Sequence, residues 1–160
     1  MAEGLIQIRG PRLADEPDIH AAYTEAVEAG GSFPARPPVS RADAYAVWIA
    51  DKPCVLVAEL AGQFAGCAYV RPNYEGRADS VANAGYLVPS RWRGRGVGRA
   101  LLRRSLDEAR ALGFRSMMFN LVFEDNPARR LWEAEGFEVI GRIPRAIDGD
   151  RDALIYFREL

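Results

Sequence analysis

Hydrophobic and polar positions follow two different spacings along the chain, and together these predict a fold of mixed helices and strands. In segments 15–29, 40–50, 98–112 and 126–135, apolar residues recur every three or four positions, as in amphipathic helices. Short apolar runs bounded by turn residues predict strands elsewhere. The predicted strands are residues 5–9, 54–60, 64–70, 81–88, 116–123, 138–143 and 153–157.

The order of these elements predicts the topology. Short turns join the second, third and fourth strands, which should therefore be antiparallel neighbours, whereas the helix at 98–112 is long enough to make the fourth and fifth strands parallel. The sequence thus predicts an α/β fold with a mixed, mostly antiparallel seven-stranded sheet flanked by helices. Ser40 and Asp43 have the spacing of a capping box at the start of the second helix.

Length and composition fit one globular domain over residues 1–160, because 49% of the residues are hydrophobic and 27% are charged. No apolar run approaches the ~20 residues of a membrane helix, and residues 1–10 do not resemble a secretory signal. We therefore expect a cytoplasmic protein without a membrane partner. Cys54 and Cys67 lie in apolar runs without metal-ligand spacing, which favours two buried thiols and no metal site.

The net charge is only −1, but the basic residues are unevenly distributed. All but one of the 21 Lys and Arg residues are arginine, and six crowd one stretch: Arg91, Arg93, Arg95, Arg99, Arg103 and Arg104. Such a cluster is typical of a solvated helix face, a phosphate site or a nucleic-acid patch. Arg103 and Arg104 stand four residues before Asp107 and Glu108, so two ion pairs along one helix are expected.

The most informative segment is 88–102, VPSRWRGRGVGRALL, where a strand ends, glycines alternate and an amphipathic helix begins. Gly94, Gly96 and Gly98 allow the backbone to approach an anion closely, and the helix N-terminus adds free N–H donors. The segment has neither the G-K-[ST] of a nucleotide P-loop nor the dinucleotide G-x-G-x-x-G spacing. A glycine-rich turn before a helix is also common as plain chain geometry.

Arg93-x-x-Gly96-x-Gly98 resembles the pyrophosphate-binding signature of the GNAT superfamily of N-acetyltransferases. The run 126–137, NPARRLWEAEGF, is similar in spacing to that family's second helix in contact with coenzyme A. The alternative is a capped amphipathic helix and nothing more, which the order of the run and its distance from the glycine turn make weaker. One position departs from the pattern. Asn126 lies two residues before Ala128, whereas the family usually places its asparagine three before, where this chain has Asp125.

The resemblance implies that acetyl-CoA is the co-substrate and that the sheet is splayed between the fourth and fifth strands. Backbone groups of Leu87 and Val88 would then pair with pantetheine like an added strand. The family often has a tyrosine at the place of Trp132 to protonate the leaving thiolate, which an indole cannot do. The residues expected at the co-substrate are Leu87, Val88, Arg93, Gly94, Arg95, Gly96, Val97, Gly98, Arg99, Asn126, Arg129 and Trp132.

The acceptor amine must attack unprotonated, and family members often place a glutamate on the fourth strand as its base. This chain has Asn83 there, and an amide cannot titrate, so Asn83 can orient an amine or a water but cannot be a general base. Asn120 is a second polar residue, set among apolar neighbours in the fifth strand. For either asparagine, a hydrogen-bonded core position is an equally good reading.

Four short runs, PNYEGR, NAGYLV, FNLVFE and GRIPRA, resemble a branch of the superfamily that acetylates small amino acids, including cyclic secondary amines of the proline-analogue type. That resemblance implies that Asn83 and Asn120 hold the amino acid, with the backbone of Leu121 helping to receive its carboxylate. Segments 32–39 and 142–146 would form the walls of the acceptor pocket.

The sequence therefore predicts an N-acetyltransferase that acts on a small-molecule amine by direct attack in a ternary complex. One alternative is a non-catalytic acyl-CoA-binding module, because the missing glutamate and tyrosine leave the binding features intact. Nucleic-acid binding ranks last, since the phosphates of one co-substrate account for several of the clustered arginines, and no nucleic-acid partner is expected. The sequence leaves open whether two copies of the chain form a homodimer.

Overall fold

The computed structural model describes residues 4–160, so the first three residues of segment 1–10 lie outside it. Seven strands form one sheet in the order β1-β2-β3-β4-β5-β7-β6. The strands are β1 (Gln7–Arg9), β2 (Cys54–Leu60), β3 (Gln63–Pro72), β4 (Val81–Leu87), β5 (Ser116–Phe123), β6 (Glu138–Ile147) and β7 (Arg151–Glu159). The α-helices are α1 (Glu16–Ala29), α2 (Arg41–Trp48), α3 (Val97–Ala111) and α4 (Arg129–Ala134).

The strand directions confirm the predicted topology. Every neighbouring pair is antiparallel except β4 and β5, which are parallel because α3 carries the chain back across the sheet between them. The mixed, mostly antiparallel seven-stranded sheet is therefore confirmed. The predicted capping box is also present: Ser40 Oγ accepts from the Asp43 backbone N–H, and the Asp43 carboxylate accepts from the Ser40 backbone N–H, both at 3.0 Å.

Three predicted features differ from the structure. The last two strands run longer than their apolar cores, because Arg142 and Asp152 pair across the hairpin at 2.7 Å and extend the pairing through charged positions. Helix α4 begins later than predicted, since Asn126 Oδ1 accepts from the Ala128 backbone N–H at 2.9 Å and holds a turn before the helix. The prediction of an ion pair between Arg103 and Asp107 is wrong, because Arg103 instead pairs with Glu135, beyond the end of α4, at 3.0 Å.

Helices cover both faces of the sheet. Helices α1 and α2 pack Ile19, Tyr23 and Trp48 against one face, while α3 packs Leu101 and Leu102 against the other. Both cysteines are free, Cys67 fully buried and Cys54 partly buried. Within residues 4–160, no helix is long and apolar enough to cross a membrane.

Candidate active site

The parallel strands β4 and β5 separate halfway along their length. They pair only from Val81 opposite Ser116 to Asn83 opposite Met118, although β4 continues to Leu87 and β5 to Phe123. The expected splay is therefore confirmed. It opens a cleft of about 800 Å³, which is the size of a site for a cofactor-sized ligand.

The cleft brings together nearly all the residues singled out in the sequence. Every predicted site residue lines it except Arg95 and Arg129. Its lining includes the turn between β4 and α3, and Phe33 and Pro34 of the loop after α1. Of the two predicted wall segments, residues 32–34 of the first line the cleft, whereas no residue of 142–146 is among the described lining residues.

The glycine turn before α3 has the backbone geometry of an anion site. Gly94 and Gly96 have φ angles of 73° and 84°, in the left-handed region that glycine adopts without strain. A Cβ built on Gly94 would meet no atom within 4 Å, and one on Gly96 would meet only Ile6 Cδ1 at 3.7 Å. No side chain caps the N-terminus of α3, so the N–H groups of its first turn are available to an anionic ligand.

The clustered arginines separate into different environments. Arg93 and Arg99 line the cleft, and Arg93 Nε donates to the carbonyl of Val88 at 3.2 Å. The guanidinium of Arg95 lies 5.3 Å from the ring centroid of Trp92, which draws it against the indole. Further along α3, Arg104 pairs with Glu108 at 2.7 Å. Of the six clustered arginines, only Arg93 and Arg99 are among the described lining residues of the cleft.

Arg129 lies behind the cleft wall. Its Nε donates to the hydroxyl of Tyr156 at 2.8 Å, and its Nη1 donates to the carbonyl of Glu124. The hydroxyl of Tyr156 in turn donates to Glu133 at 2.7 Å. Arg129 thus connects α4 to the residue that follows β5 and to β7, so its observed contacts are structural.

Asn126, rather than Asp125, faces the cleft. Asn126 is 8% exposed and lines the cleft, whereas Asp125 is exposed and pairs with Arg151 at 3.3 Å. Trp132 forms the adjacent wall, with its ring centroid 4.9 Å from that of Phe119. The shift of one residue from the family's usual spacing thus keeps an asparagine at the cleft.

Asn83 and Asn120 lie where the two strands diverge. Asn83 is the last residue of β4 that pairs with β5, and its Nδ2 donates to the carbonyl of Met118 at 3.0 Å. In β5, Asn120 and Leu121 together oppose the single residue Ile155, which is the pattern of a β-bulge. Because the bulge changes the direction of the side chains, the polar side chain of Asn120 can point into the cleft from an otherwise apolar strand.

Sequence reasoning missed three residues at this end of the cleft. Tyr69 and Arg71 are two residues apart in β3, so their side chains share a face of the sheet, and both line the cleft. The Arg71 guanidinium lies 5.9 Å from the Tyr69 ring centroid. Asn73 forms two hydrogen bonds with the amide of Asn120. One sequence feature could have indicated Tyr69: the glycine at position 85, inside a predicted strand. Gly85 lies opposite Tyr69, and a Cβ on Gly85 would lie 2.5 Å from the tyrosine ring.

The described lining of the cleft contains no carboxylate and no histidine. Burial raises the pKa of both tyrosines that line it, Tyr69 and Tyr86. Ser105 Oγ donates to the carbonyl of Leu102, so the Tyr86 hydroxyl, 2.7 Å from that Oγ, donates to it. Neither phenol is therefore suited to accept a proton near neutral pH. Among residues 4–160, no three His, Cys, Asp or Glu side chains cluster as metal ligands.

Comparison with known proteins identifies the class to which this fold and site belong. Residues 19–137 match the model of the Acetyltransferase (GNAT) family. The match covers well over half of the chain, and the chain belongs to this family of acetyltransferases. The predicted family is therefore confirmed.

Curated relatives share the central part of the chain. N-acetyltransferase aca1 of Schizosaccharomyces pombe is 41% identical over 97 residues, which are 57% of this chain and 46% of that protein. L-amino acid N-acetyltransferase AaaT of Escherichia coli is 33% identical over 96 residues, 58% of this chain and 59% of that protein. The chain thus aligns with about half the length of these curated relatives.

Solved structures match over nearly the whole chain. A GCN5-related N-acetyltransferase from Kribbella flavida has a TM-score of 0.91 and 35% identity, covering 97% of this chain and 98% of that one. A GNAT superfamily phosphinothricin acetyltransferase from Sinorhizobium meliloti, in complex with acetyl-CoA, has a TM-score of 0.85 and 26% identity, covering 97% and 88%. The predicted fold and the predicted co-substrate of the family, acetyl-CoA, are confirmed.

The residues present here fit acetyl-CoA. Two left-handed glycines and a helix N-terminus without a side-chain cap form a turn whose backbone is open to a diphosphate. Arg93 and Arg99 add positive charge beside the turn. Beyond Asn83, the β4 edge that faces β5 has no strand paired to it in residues 4–160, so its backbone is available to an extended ligand.

Proposed function

We propose that the protein transfers an acetyl group from acetyl-CoA to the amine of a small amino acid, including proline-like cyclic amines. The observation that carries this proposal is the continuity of the cleft. One cavity of about 800 Å³ joins the glycine turn to the end formed by Asn83, Asn120 and Arg71. A co-substrate and a small acceptor can therefore meet within it, and holding two reactants together lowers the barrier by ~7 kcal/mol or more.

The co-substrate half is assigned to the glycine turn and the walls around it. Acetyl-CoA supplies an activated acetyl group as a thioester. The backbone N–H groups that follow Gly96 would bind its diphosphate, with Arg93 and Arg99 adding positive charge. Backbone groups of Leu87 and Val88 would pair with the pantetheine arm, while Asn126 and Trp132 would form the opposite wall. One N–H donor at this edge stabilises a developing oxyanion by roughly 3 kcal/mol.

The part of the cleft around Asn83, Asn120 and Arg71, where the acceptor would bind, is suited to a ligand with a negative charge beside its amine. Arg71 is the cation at this end, and the bulge at Asn120 and Leu121 offers backbone N–H groups to a carboxylate. With no carboxylate in the described lining, nothing there attracts a polycationic acceptor. The relative from Escherichia coli is called an L-amino acid N-acetyltransferase, which agrees with this choice.

The absence of a base among the described lining residues also favours acceptors that deprotonate easily. At pH 7, removing a proton costs ~4.6 kcal/mol for a lysine-like amine of pKa ~10.4, but only ~1.4 kcal/mol for an α-amine near pKa ~8. Asn83 cannot remove that proton, and its role would be to orient the amine or a water. The proposed order of preference is therefore α-amines before side-chain amines.

The decisive experiment measures thiol release from acetyl-CoA in the presence of a panel of amino acids, cyclic secondary amines among them. Each acceptor is paired with its carboxamide, which keeps the amine but removes the negative charge. We expect several amino acids to accelerate release above hydrolysis and their carboxamides to react at least tenfold more slowly. If no amino acid accelerates release, the proposed transferase activity is wrong.

A second candidate is a non-catalytic acyl-CoA-binding module. The observations that favour it are Asn83 and Trp132, which stand where the family often has a proton-accepting glutamate and a proton-donating tyrosine. Coenzyme A binding without turnover on any amine would support this alternative. Turnover on amino acids would exclude it.

A further inference from the structure

Asn73 connects the acceptor end of the cleft to the loop between β3 and β4. Its backbone N–H donates to the carbonyl of Val81 at 2.7 Å and closes the hairpin. Its side chain pairs with Asn120 in both directions: Asn73 Nδ2 donates to Asn120 Oδ1 at 3.0 Å, and Asn120 Nδ2 donates to Asn73 Oδ1 at 2.6 Å. These hydrogen bonds thus attach the loop between β3 and β4 to the bulge of β5, beyond the point where β4 and β5 stop pairing.

This pairing restricts what Asn120 can present to a ligand. A carboxamide has two N–H donors and an oxygen with two lone pairs, and it can exchange their places by turning about its last bond. Two reciprocal hydrogen bonds fix the plane of the amide and the positions of its nitrogen and oxygen. They also leave Asn120 with one N–H and one lone pair for other partners. A fixed amide binds a ligand without the entropy cost of ordering it first.

We propose that Asn73 is a positioning residue for acceptor binding, and that it acts by holding the amide of Asn120 in one orientation. This inference rests on the proposed function of the cleft. Asn73 is not among the residues that line the cleft, so its effect passes through Asn120. The glycine turn follows Leu87 at the end of β4, whereas Asn120 lies near Asn83, where β4 and β5 begin to separate, so acetyl-CoA binding should be independent of Asn73.

The test compares Asn73→Ala with Asn73→Gln and with Tyr74→Ala, a change at the exposed neighbouring position of the same loop. We expect Asn73→Ala to raise the KM for the amino acid about five- to tenfold, the range of one lost hydrogen bond, and to leave the KM for acetyl-CoA within about twofold. Asn73→Gln retains an amide and should recover part of the loss. Tyr74→Ala should behave as wild type.

A double-mutant cycle separates positioning from a general loss of structure. If Asn73 acts through Asn120, then Asn73→Ala should have little further effect in an Asn120→Ala background. Additive effects in the cycle would overturn the proposal, and so would an unchanged KM for the amino acid. An equal rise in both KM values would also overturn it, because it would indicate a disturbed fold.

The pairing is also tested without turnover, so that failure of the proposed function is distinguishable from failure of this inference. The side-chain NH₂ signals of Asn120 in an NMR spectrum should differ between wild type and Asn73→Ala, with the variant closer to a free, rotating amide. Absence of acetyl transfer by the wild type would refute the proposed function. Unchanged Asn120 signals in Asn73→Ala would refute the positioning role even if transfer occurs.

Discussion

At the scale of single residues, the proposed chemistry depends on groups that orient without exchanging protons. Asn83 and Asn120 are amides, Trp132 is an indole, and the carboxylates and histidine of residues 4–160 lie outside the cleft lining. Burial raises the pKa of Tyr69 and Tyr86, which keeps both phenols protonated well above neutral pH. The ionisation that controls the reaction should therefore belong to the acceptor.

The corresponding prediction concerns the pH dependence of kcat/KM. Because only the unprotonated amine reacts, kcat/KM should rise about tenfold per pH unit and level off near the pKa of the acceptor's own amine. Two acceptors whose amine pKa values differ by about two units should give profiles displaced by the same amount. An inflection at one fixed pH for both acceptors would instead reveal a titrating base on the enzyme.

At the scale of secondary-structure elements, a partly buried ion-pair network joins the start of α1 to the edge of the sheet. Arg9 of β1 donates to Asp15 and to Glu59 of β2, with distances of 2.7 to 2.8 Å. Asp15 also accepts from the backbone N–H of Arg12 at 2.6 Å. The hydrogen bonds from Arg9 are the largest cause that lowers the pKa of Asp15 below its ordinary value.

Asp15→Asn should lower the free energy of unfolding by about 2 kcal/mol at pH 7, because it leaves a partly buried guanidinium with one charge partner fewer. Asp15 has a lowered pKa in the folded state, so its contribution is complete above its unfolded pKa of about 3.9 and is lost as the pH falls below that value. Urea unfolding at pH 7 and at pH 3 measures the difference.

The matched control is Asp79→Asn, at an exposed acid in the loop between β3 and β4. We expect this control to unfold like the wild type at both pH values. For Asp15→Asn, the gap from the wild type should narrow at pH 3. A gap of the same size at both pH values would show that the ionised carboxylate of Asp15 is not the stabilising group.

The elements also show what the sequence could and could not predict. Strands β2 and β5 were predicted within their observed bounds, because both are apolar runs with sharp polar ends. The extensions of β6 and β7 were not predicted, since cross-strand pairs such as Arg142 with Asp152 have no signature in a single strand. Helix α4 was predicted too early because Asn126 has the chemistry of a cap but holds only the preceding turn.

The same distinction holds for the site. The glycine turn is local in sequence, so its spacing was sufficient to predict its position before α3 and to propose an anion as its ligand. Arg71 and Asn73 were missed because their importance arises from contacts with residues distant in the chain, such as the pair between Asn73 and Asn120. The bulge that exposes Asn120 also depends on the register with β7, which a single strand does not specify.

At the scale of the whole molecule, we propose that one opening in the sheet binds the co-substrate at the glycine turn and the acceptor near Asn83 and Asn120. The opening exists because the pairing of β4 with β5 ends at Asn83, although both strands continue beyond it. The central claim is that acetyl-CoA binds in this splay with its diphosphate at the turn around Gly96. Acceptor choice, pH dependence and the role of Asn73 all depend on that placement.

Calorimetric titration with coenzyme A tests the claim most directly, using the wild type, Gly96→Val and Gly113→Val. Both glycines have left-handed φ angles, 84° and 88°, so the two variants carry similar backbone strain at opposite ends of α3. We predict that the wild type binds, that Gly96→Val weakens binding at least tenfold, and that Gly113→Val binds within about twofold of the wild type. No heat of binding with the wild type, or equal affinity in Gly96→Val, would contradict the account.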